Sequence, residues 1–276
     1  MHKNNTKTKI IRDINTWRDI RKNQISSDKS IGLVMTMGNL HQGHASLMEK
    51  SISENDVSIL TIFVNPTQFN NKSDLDNYPK TEEDDINLAE KLGIDFILIF
   101  NKKDLYPDDY KYQIKNTSPI GQIMEGKMRP GHFDGMLSIV LKMHCLILPN
   151  KSYFGEKDYQ QYKLIKEMVN AYLLNTEIIG CPIIRNKNNL ALSSRNNRLN
   201  KKDLKLAGKF PEILSDFNLN NDQVKQELIK HNFKVDYIYN YDDRRFGAVY
   251  LNDVRLIDNL ARINLPFHQS DNQNYN

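Results

Sequence analysis

The feature that most constrains the fold is a series of short apolar runs, each followed by a polar loop and a helical pattern. The clearest run, Val57 to Val64, is nearly unbroken in β-branched and aromatic residues and ends at a polar turn. Continuous apolar character over this length is typical of a strand buried on both faces of a parallel sheet. Similar runs occur at 31–35, 96–100 and 176–180. The alternation predicts an α/β fold with a doubly wound parallel sheet.

Helical patterns separate these runs. Thr81 is a good N-cap and four acidic residues follow it, which predicts a helix start, while longer patterns cover 134–146 and 159–174. In a sheet of this kind ligands bind beyond the carboxyl ends of the strands, so the polar loops after the apolar runs should converge on one crevice. These loops are 36–44, 65–69 and 155–161.

The pattern changes beyond Pro182, and 276 residues suit two domains at on the order of 150 residues each. The elements predicted in this part are helices at 202–214 and 222–231 and strands at 235–239 and 248–251. We therefore predict a doubly wound α/β domain over 1–181 and a smaller α+β domain over 182–276.

The net charge of the chain does not by itself indicate a nucleic-acid partner, because 38 basic and 34 acidic residues give only +4. Between Pro182 and Phe210, however, eight basic residues accompany one acid, Asp203. With the pI of 8.8, this stretch leaves an RNA-binding module as one alternative function, which would bind RNA with a steep salt dependence. The stretch lacks the interleaved aromatic residues of a base-stacking surface, which argues against that function.

The two cysteines, Cys145 and Cys181, lie far apart beside apolar residues. We expect two buried free thiols in a reducing, cytoplasmic compartment. The segment Met1 to Lys9 is basic without an apolar core, so we expect no secretory signal there, and no run of eighteen apolar residues predicts a membrane span.

The loop at 36–44 carries two histidines three residues apart. If a helix begins near Gln42, His41 and His44 lie on the same side of its first turn, where N–H groups and the helix dipole attract phosphate. Half of a metal site is one alternative, but no third ligand lies near in the chain. Simple capping of the helix without chemistry is another.

Five segments occur in an order that is jointly specific. They are TMGNLHQGH (36–44), FVNPTQF (63–69), EGKMRPGHF (125–133), FGEKDYQQ (154–161) and LSSRN (192–196), with VRLIDN (254–259) near the end. The His-x-Gly-His spacing resembles the signature of the nucleotidyltransferase superfamily, and the whole set resembles the pantoate–β-alanine ligase family.

This resemblance implies a Rossmann-like domain that binds ATP and pantoate, a C-terminal lid domain and a homodimer. It also implies a reaction in which ATP activates pantoate as pantoyl-adenylate, and β-alanine then displaces AMP. Mg²⁺ would arrive on the phosphates of ATP rather than at protein metal ligands. One alternative function with the same fold is a nucleotidylyltransferase, which leaves AMP on its product.

Adenylate formation brings one anion, a carboxylate, to another, the α-phosphate. The carboxylate is already ionised, so catalysis must come from charge neutralisation and alignment rather than from a general base. We therefore assign catalytic roles to His44, Lys157 and Arg195. His44 would stabilise the transition state at the α-phosphate, with donation of a proton to the departing diphosphate left open. For the amine of β-alanine, no residue stands out as the base.

The remaining site residues follow from the resemblance. ATP binding is assigned to Met37, Gly38, His41, His44, Gly155, Lys157, Asp158, Ile184, Leu192, Ser193, Ser194 and Arg195. Two amides, Gln68 and Gln161, are assigned to pantoate and β-alanine, because a neutral amide holds hydroxyls and a carboxylate without competing as a nucleophile. Asp84 and Asp85 are interpreted as acids at a helix start rather than as metal ligands.

Overall fold

The computed structural model describes residues 7–262, and all statements below concern that part of the chain. The chain divides into two compact units. The first runs to Lys187 and includes Ala191–Asn197, whereas the second consists of Asn188–Leu190 and the chain from Arg198 onward.

The first unit is built on a six-stranded sheet in which all neighbouring strands are parallel. Its strands are β1 (Lys9–Ile11), β2 (Ile31–Thr36), β3 (Val57–Ile62), β4 (Phe96–Leu98), β5 (Lys151–Gly155) and β6 (Glu177–Cys181). Their order across the sheet is β1-β4-β3-β2-β5-β6. The parallel α/β architecture predicted from the apolar runs is confirmed.

Helices connect these strands. They are α1 (Ile14–Asn23), α2 (Gln42–Glu54), α3 (Lys72–Asp76), α4 (Glu82–Leu92), α5 (Lys102–Leu105), α6 (Met124–Met128), α7 (His132–Ile147) and α8 (Tyr159–Ala171). Short 3-10 turns lie at Pro66–Gln68, Pro119–Gln122, Glu156–Asp158 and Ser194–Arg198. Val34, Leu60 and Ile97 from three adjacent strands are fully buried, with Met48 of α2 packed in the same cluster. Burial on both faces explains why the strands are continuously apolar in sequence.

The second unit is a smaller α+β structure. It contains α9 (Lys201–Ala207), α10 (Lys209–Leu214), α11 (Asn221–Lys230) and the antiparallel strands β7 (Lys234–Tyr241), β8 (Arg244–Leu251) and β9 (Val254–Ala261). Phe210, Leu214 and Val249 are fully buried in its core.

Two predictions for this unit were wrong. The single helix expected at 202–214 is broken at Gly208, because Pro211 has no N–H to donate to the carbonyl of Ala207 and cannot continue the first helix. The strand β9 was missed, since the buried polar residues Asp258 and Asn259 interrupt its apolar pattern.

The predicted domain boundary after residue 181 differs from the observed division. Residues 182–187 and 191–197 belong to the first unit, where Ile184 accepts a hydrogen bond from the N–H of Leu192 at 2.9 Å. A bridge between Arg185 and Ala191 extends this pairing. The change of pattern at Pro182 therefore does not mark the start of the second unit, because 182–187 and 191–197 pair with each other within the first. The lid function expected of the C-terminal domain stays a prediction.

Both cysteines are free thiols, as expected, and Cys181 is buried. Cys145 is exposed, so its predicted burial was wrong. On α7 the inward face is marked by Met143, His144 and Ile147, and Cys145 points away from it despite its apolar neighbours. In the described part of the chain, no helix combines the length and apolar character needed to cross a membrane.

Candidate active site

The turn between β2 and α2 has an uncommon backbone. Gly38 and Asn39 have φ values of 82° and 53°, a left-handed conformation that glycine adopts without strain and asparagine tolerates. The carboxylate of Asp85 accepts hydrogen bonds from the N–H of Asn39 at 2.9 Å and of Leu40 at 2.7 Å. Helix α2 then begins at Gln42, the position predicted from the sequence.

His41 and His44 lie together at the start of α2, with ring centroids 4.1 Å apart. Nδ1 of His41 accepts from the N–H of Gly43 at 3.1 Å, and Nδ1 of His44 accepts from the N–H of His41 at 3.3 Å. Because Nδ1 of each ring is an acceptor, the hydrogen of each neutral ring is assigned to Nε2. Two Nε2–H donors therefore stand beside the N-terminus of the helix.

Both rings are neutral in this environment. The pKa of His44 is lowered to about 3, chiefly by burial, with smaller contributions from the neighbouring His41 and Lys157. The pKa of His41 is also lowered, first by burial and then by Lys157, against a smaller opposing effect of Asp158. At neutral pH the two histidines are hydrogen-bond donors rather than cations, which answers the question of protonation that the sequence left open.

The sheet places a second loop beside these histidines. From β2 the chain continues to β3 on one side, whereas from β5 it continues to β6 on the other side. The carboxyl ends of β2 and β5 therefore flank a topological switch point. Lys157 lies two residues beyond the end of β5, and its side chain is 18% exposed with Nζ 3.6 Å from Asp158 Oδ2. Ligands of doubly wound sheets bind at such a position.

Gln68, after β3, is held by the buried Asn65. The Nδ2 of Asn65 donates to Gln68 Oε1 at 3.0 Å, while Asn65 Oδ1 accepts from Tyr106 Oη at 2.9 Å. The Nε2 of Gln68 lies 3.2 Å from the sulfur of Met37. The amide of Gln68 is thus oriented between the turns that follow β2 and β3.

A second set of contacts fixes the backbone of Gln68. Its carbonyl accepts from His132 Nδ1 at 2.9 Å, and Arg129 Nη1 lies 3.1 Å from His132 Nε2. Burial, followed by the charge of Arg129, lowers the pKa of His132 to about 4, so this ring is neutral. With Nδ1 donating to the carbonyl, Nε2 accepts from the guanidinium.

The basic loop predicted at 193–195 forms a compact turn. Ser193 Oγ accepts from the N–H of Arg195 at 3.2 Å, and Arg195 Nη2 donates to Asp74 Oδ2 at 3.1 Å. Tyr78 shares a side-chain hydrogen bond with Ser194 and packs edge to face on Phe69. Asp74 and Tyr78 therefore hold the loop from the segment between β3 and α4.

These groups surround one cavity of about 280 Å³ within the first unit. All predicted site residues except Gly38 line it. They are Met37, His41, His44, Gln68, Gly155, Lys157, Asp158, Gln161, Ile184, Leu192, Ser193, Ser194 and Arg195. Gly38 lies over Asp85 instead, where a Cβ would approach Oδ2 to 2.9 Å. The loops at 36–44, 65–69 and 155–161, which were expected to converge on one crevice, all contribute residues to this cavity.

Sequence reasoning missed several residues of the site. Asn65, Tyr78, Arg129 and His132 also line the cavity. Asn65, Arg129 and His132 belong to the quoted motifs, so the signal was present, but Tyr78 stands outside them. Within residues 7–262, no three His, Cys, Asp or Glu side chains form a group that could hold a metal ion.

Comparison with known proteins agrees with this geometry. The family model for pantoate-beta-alanine ligase matches residues 9–261. The chain belongs to the pantoate–β-alanine ligase family. The resemblance inferred from the motifs is confirmed, as is the expectation that the chain is an enzyme.

Pantoate–β-alanine ligases of known sequence match over nearly their whole length. A pantothenate synthetase of Coxiella burnetii is 49% identical over 253 residues, which cover 92% of this chain and 96% of that protein. A pantothenate synthetase of Legionella pneumophila is 46% identical over 250 residues, which cover 91% of this chain and 98% of that protein.

Solved structures of the family share the fold. The pantoate-beta-alanine ligase of Francisella tularensis, in complex with beta-gamma ATP and beta-alanine, superposes with a TM-score of 0.88 at 44% identity, covering 92% of this chain and 97% of that one. The Thermus thermophilus enzyme superposes with a TM-score of 0.83 at 28% identity, and the match covers 92% of this chain and 99% of that one. The Rossmann-like fold with its smaller second domain is thereby confirmed.

Proposed function

We propose that this chain joins pantoate to β-alanine at the expense of ATP, forming pantothenate, AMP and diphosphate through a pantoyl-adenylate. Family membership supports the reaction. The observation that carries the proposal is the convergence of two neutral imidazoles, Lys157, Arg195 and two amide side chains on one cavity at the switch point of the sheet. We further propose that it acts in the cytoplasm, which the two free thiols suit.

In the first step a carboxylate oxygen of pantoate attacks the α-phosphorus of ATP, and the bond to the β-phosphate breaks. Negative charge grows on the phosphate oxygens. His44 donates Nε2–H to the α-phosphate, and Lys157 and Arg195 supply positive charge. The low pKa of His44 favours this hydrogen-bonding role over transfer of a proton to the diphosphate.

Gln68 and Gln161 hold pantoate in this scheme. An amide donates and accepts without ionising, so it can bind both the hydroxyls and the carboxylate. Gln68 is pre-oriented by Asn65, which reduces the conformational entropy lost on binding. ATP enters as its magnesium complex, with the ion on the phosphates.

In the second step the neutral amine of β-alanine attacks the acyl carbon. The bond to the bridging oxygen breaks, AMP leaves with that oxygen, and the amine loses a proton. The cavity walls formed by Ile184 and by 192–195 shield the adenylate from water, which would otherwise hydrolyse it.

Incubation with ATP, Mg²⁺ and pantoate, with and without β-alanine, tests the proposal. Diphosphate should form without the amine in an amount close to that of enzyme, whereas AMP release should require β-alanine. Pantoate labelled with ¹⁸O in the carboxylate should transfer one ¹⁸O to AMP. AMP that stays on the product would indicate a nucleotidylyltransferase, and diphosphate release without pantoate would contradict adenylation.

We also propose that the chain forms a homodimer. The first unit carries a second, mainly apolar cavity of about 820 Å³ beside α1 and α7. Tyr112, Leu148 and Tyr172 on its wall are 81%, 59% and 53% exposed. Sedimentation velocity should give a dimer for the wild type and a monomer for Leu148→Glu. Tyr239→Glu, which changes an exposed aromatic residue of the second unit, is the matched control.

A further inference from the structure

Asp85 is a buried carboxylate that the proposed reaction does not use. It lies in the first turn of α4, is 3% exposed and does not line the cavity. Three donors surround it, namely the N–H of Asn39 at 2.9 Å, the N–H of Leu40 at 2.7 Å and the hydroxyl of Thr81 at 3.1 Å. A carboxylate is removed from water at a high cost unless its oxygens are satisfied in this way.

The other acids of the same turn behave differently. Glu82, Glu83 and Asp84 are exposed and face solvent, as acids near a helix N-terminus commonly do. Thr81, the N-cap residue, makes no capping bond and donates to Asp85 instead. The contrast shows that Asp85 serves the turn between β2 and α2 rather than its own helix.

The contacts of Asp85 lead directly to His44. The carboxylate fixes the N–H groups of Asn39 and Leu40, the last two residues before His41. The N–H of His41 is the donor to His44 Nδ1. The orientation of that donor depends on the path of the chain through Leu40, because the backbone has only two soft torsions per residue.

We propose that Asp85 is a positioning residue for His44: it holds the turn at 38–40 so that the N–H of His41 meets His44 Nδ1 and keeps the hydrogen on Nε2. The catalytic part of this inference rests on the proposed function. The conformational part concerns the ligand-free protein and can be tested without any assay of activity.

Asp85→Asn tests the contact with little change of shape. Asparagine keeps one oxygen, but its amide group faces an N–H donor, so the turn must shift to separate two donors. Asp84→Asn is the matched control, because it removes the same charge from the adjacent exposed position. His44→Gln identifies the His44 signals by their loss.

The first readout is the ¹⁵N NMR spectrum of histidine-labelled protein without ligands. In the wild type and in Asp84→Asn, His44 should show an unprotonated Nδ1 and a protonated Nε2. In Asp85→Asn these two signals should move toward each other as the tautomers mix. Unchanged signals in folded Asp85→Asn would overturn the proposal, whether or not the protein proves to be a ligase.

The second readout separates kcat from KM. Asp85→Asn should lower kcat by about 10- to 100-fold while KM for ATP stays within about threefold, because displacement of a catalytic group by ~1 Å costs about this much in rate. Asp84→Asn should stay within about twofold of wild type in both constants. A fall in kcat with His44 signals of the wild-type form would contradict a positioning role.

Asp85→Asn could fail to fold, since the residue is buried. In that case Thr81→Val tests the positioning role, because it removes one donor to Asp85 and leaves the carboxylate in place. Thr81→Val should shift the His44 nitrogen signals in the same direction by a smaller amount. Signals identical to those of the wild type would overturn the proposal.

Discussion

Arg195 Nη2 donates to Asp74 Oδ2 at 3.1 Å, so a predicted catalytic cation is held by a carboxylate from α3. The side chains are 35% and 26% exposed, which limits the strength of the ion pair. Its value lies in orientation, since a guanidinium that already has one anchored nitrogen presents the others in a fixed plane.

Asp74→Asn should therefore lower kcat by about threefold to fivefold, a loss of about 1 kcal/mol. Arg195→Lys should lower it by about 100-fold, because lysine cannot contact a carboxylate and a phosphate with one planar fork. Steady-state kinetics measure both, with Asp76→Asn on the same helix as the control. Equal effects of Asp74→Asn and Asp76→Asn would exclude the orienting role.

Replacement of His44 by Ala should reduce kcat by about 10²- to 10³-fold, the usual cost of removing one donor to a transition-state oxyanion. KM for ATP should change little, because the lost bond strengthens only in the transition state. Single-turnover formation of diphosphate measures the step. His231→Ala, in the second unit, serves as the control, and parallel losses in kcat and ATP binding would refute the assignment.

Gln160 and Gln161 are adjacent at the start of α8, but their replacement should affect different properties: stability for Gln160 and pantoate binding for Gln161. Gln161→Leu should raise KM for pantoate by about tenfold through the loss of one hydrogen bond, with KM for ATP unchanged. Gln160 is buried and bonds the carbonyls of Ile120 and Ile123 and the N–H of Glu125. Gln160→Leu should therefore lower the free energy of unfolding by about 2 kcal/mol and leave KM alone. If both variants changed only stability, Gln161 would not contact pantoate.

Gly135 of α7 lies against the turn that carries Gln68. A Cβ at this position would come within 2.3 Å of Thr67 O and 2.8 Å of Gln68 N. Gly135→Ala must push that turn away, so KM for pantoate should rise by about tenfold and the melting temperature should fall by several degrees. KM for ATP is the internal control. A variant with wild-type constants would show that the turn can move without displacing Gln68.

Acid should destabilise the first unit. His44 and His132 have pKa values of about 3 and about 4 against 6.5 in an unfolded chain. The unfolded state thus binds more protons below pH 6.5, and stability is full above that pH and falls as the pH drops. Each site contributes up to about 1.4 kcal/mol per pH unit, so the free energy of unfolding should be about 3 kcal/mol lower at pH 5.5 than at pH 7.5.

Urea unfolding followed by the fluorescence of the single, buried tryptophan, Trp17, measures this change in the first unit. His132→Gln should flatten the dependence. Stability that is equal or greater at pH 5.5 would contradict neutral, buried histidines.

The sequence predicted those features whose cause is local. The helix start at Gln42 follows from the turn around Gly38, and the buried strands follow from apolar runs that need no knowledge of their neighbours. The predicted site residues other than Gly38 line one cavity, because loops after parallel strands share one edge of the sheet.

What the sequence did not predict depends on distant partners. Asp85 bonds residues 45 and 46 positions away, and Asp74 bonds Arg195 across 121 positions. Both acids lie at helix starts, where exposed acids are common, so their own surroundings give no sign of these contacts. Cys145 was misjudged for a related reason, because adjacency to apolar residues does not reveal which side of a helix faces the core.

The strand order has a consequence for synthesis of the chain. Strand β2 pairs with β5, which is synthesised much later, and the residues that line the cavity extend from Met35 to Arg195. A nascent chain therefore lacks the pocket until most of it has left the ribosome. Nucleotide can stabilise only a form that binds it, so shorter translation products gain nothing from ATP. The first strands and helices must therefore fold without stabilisation by nucleotide.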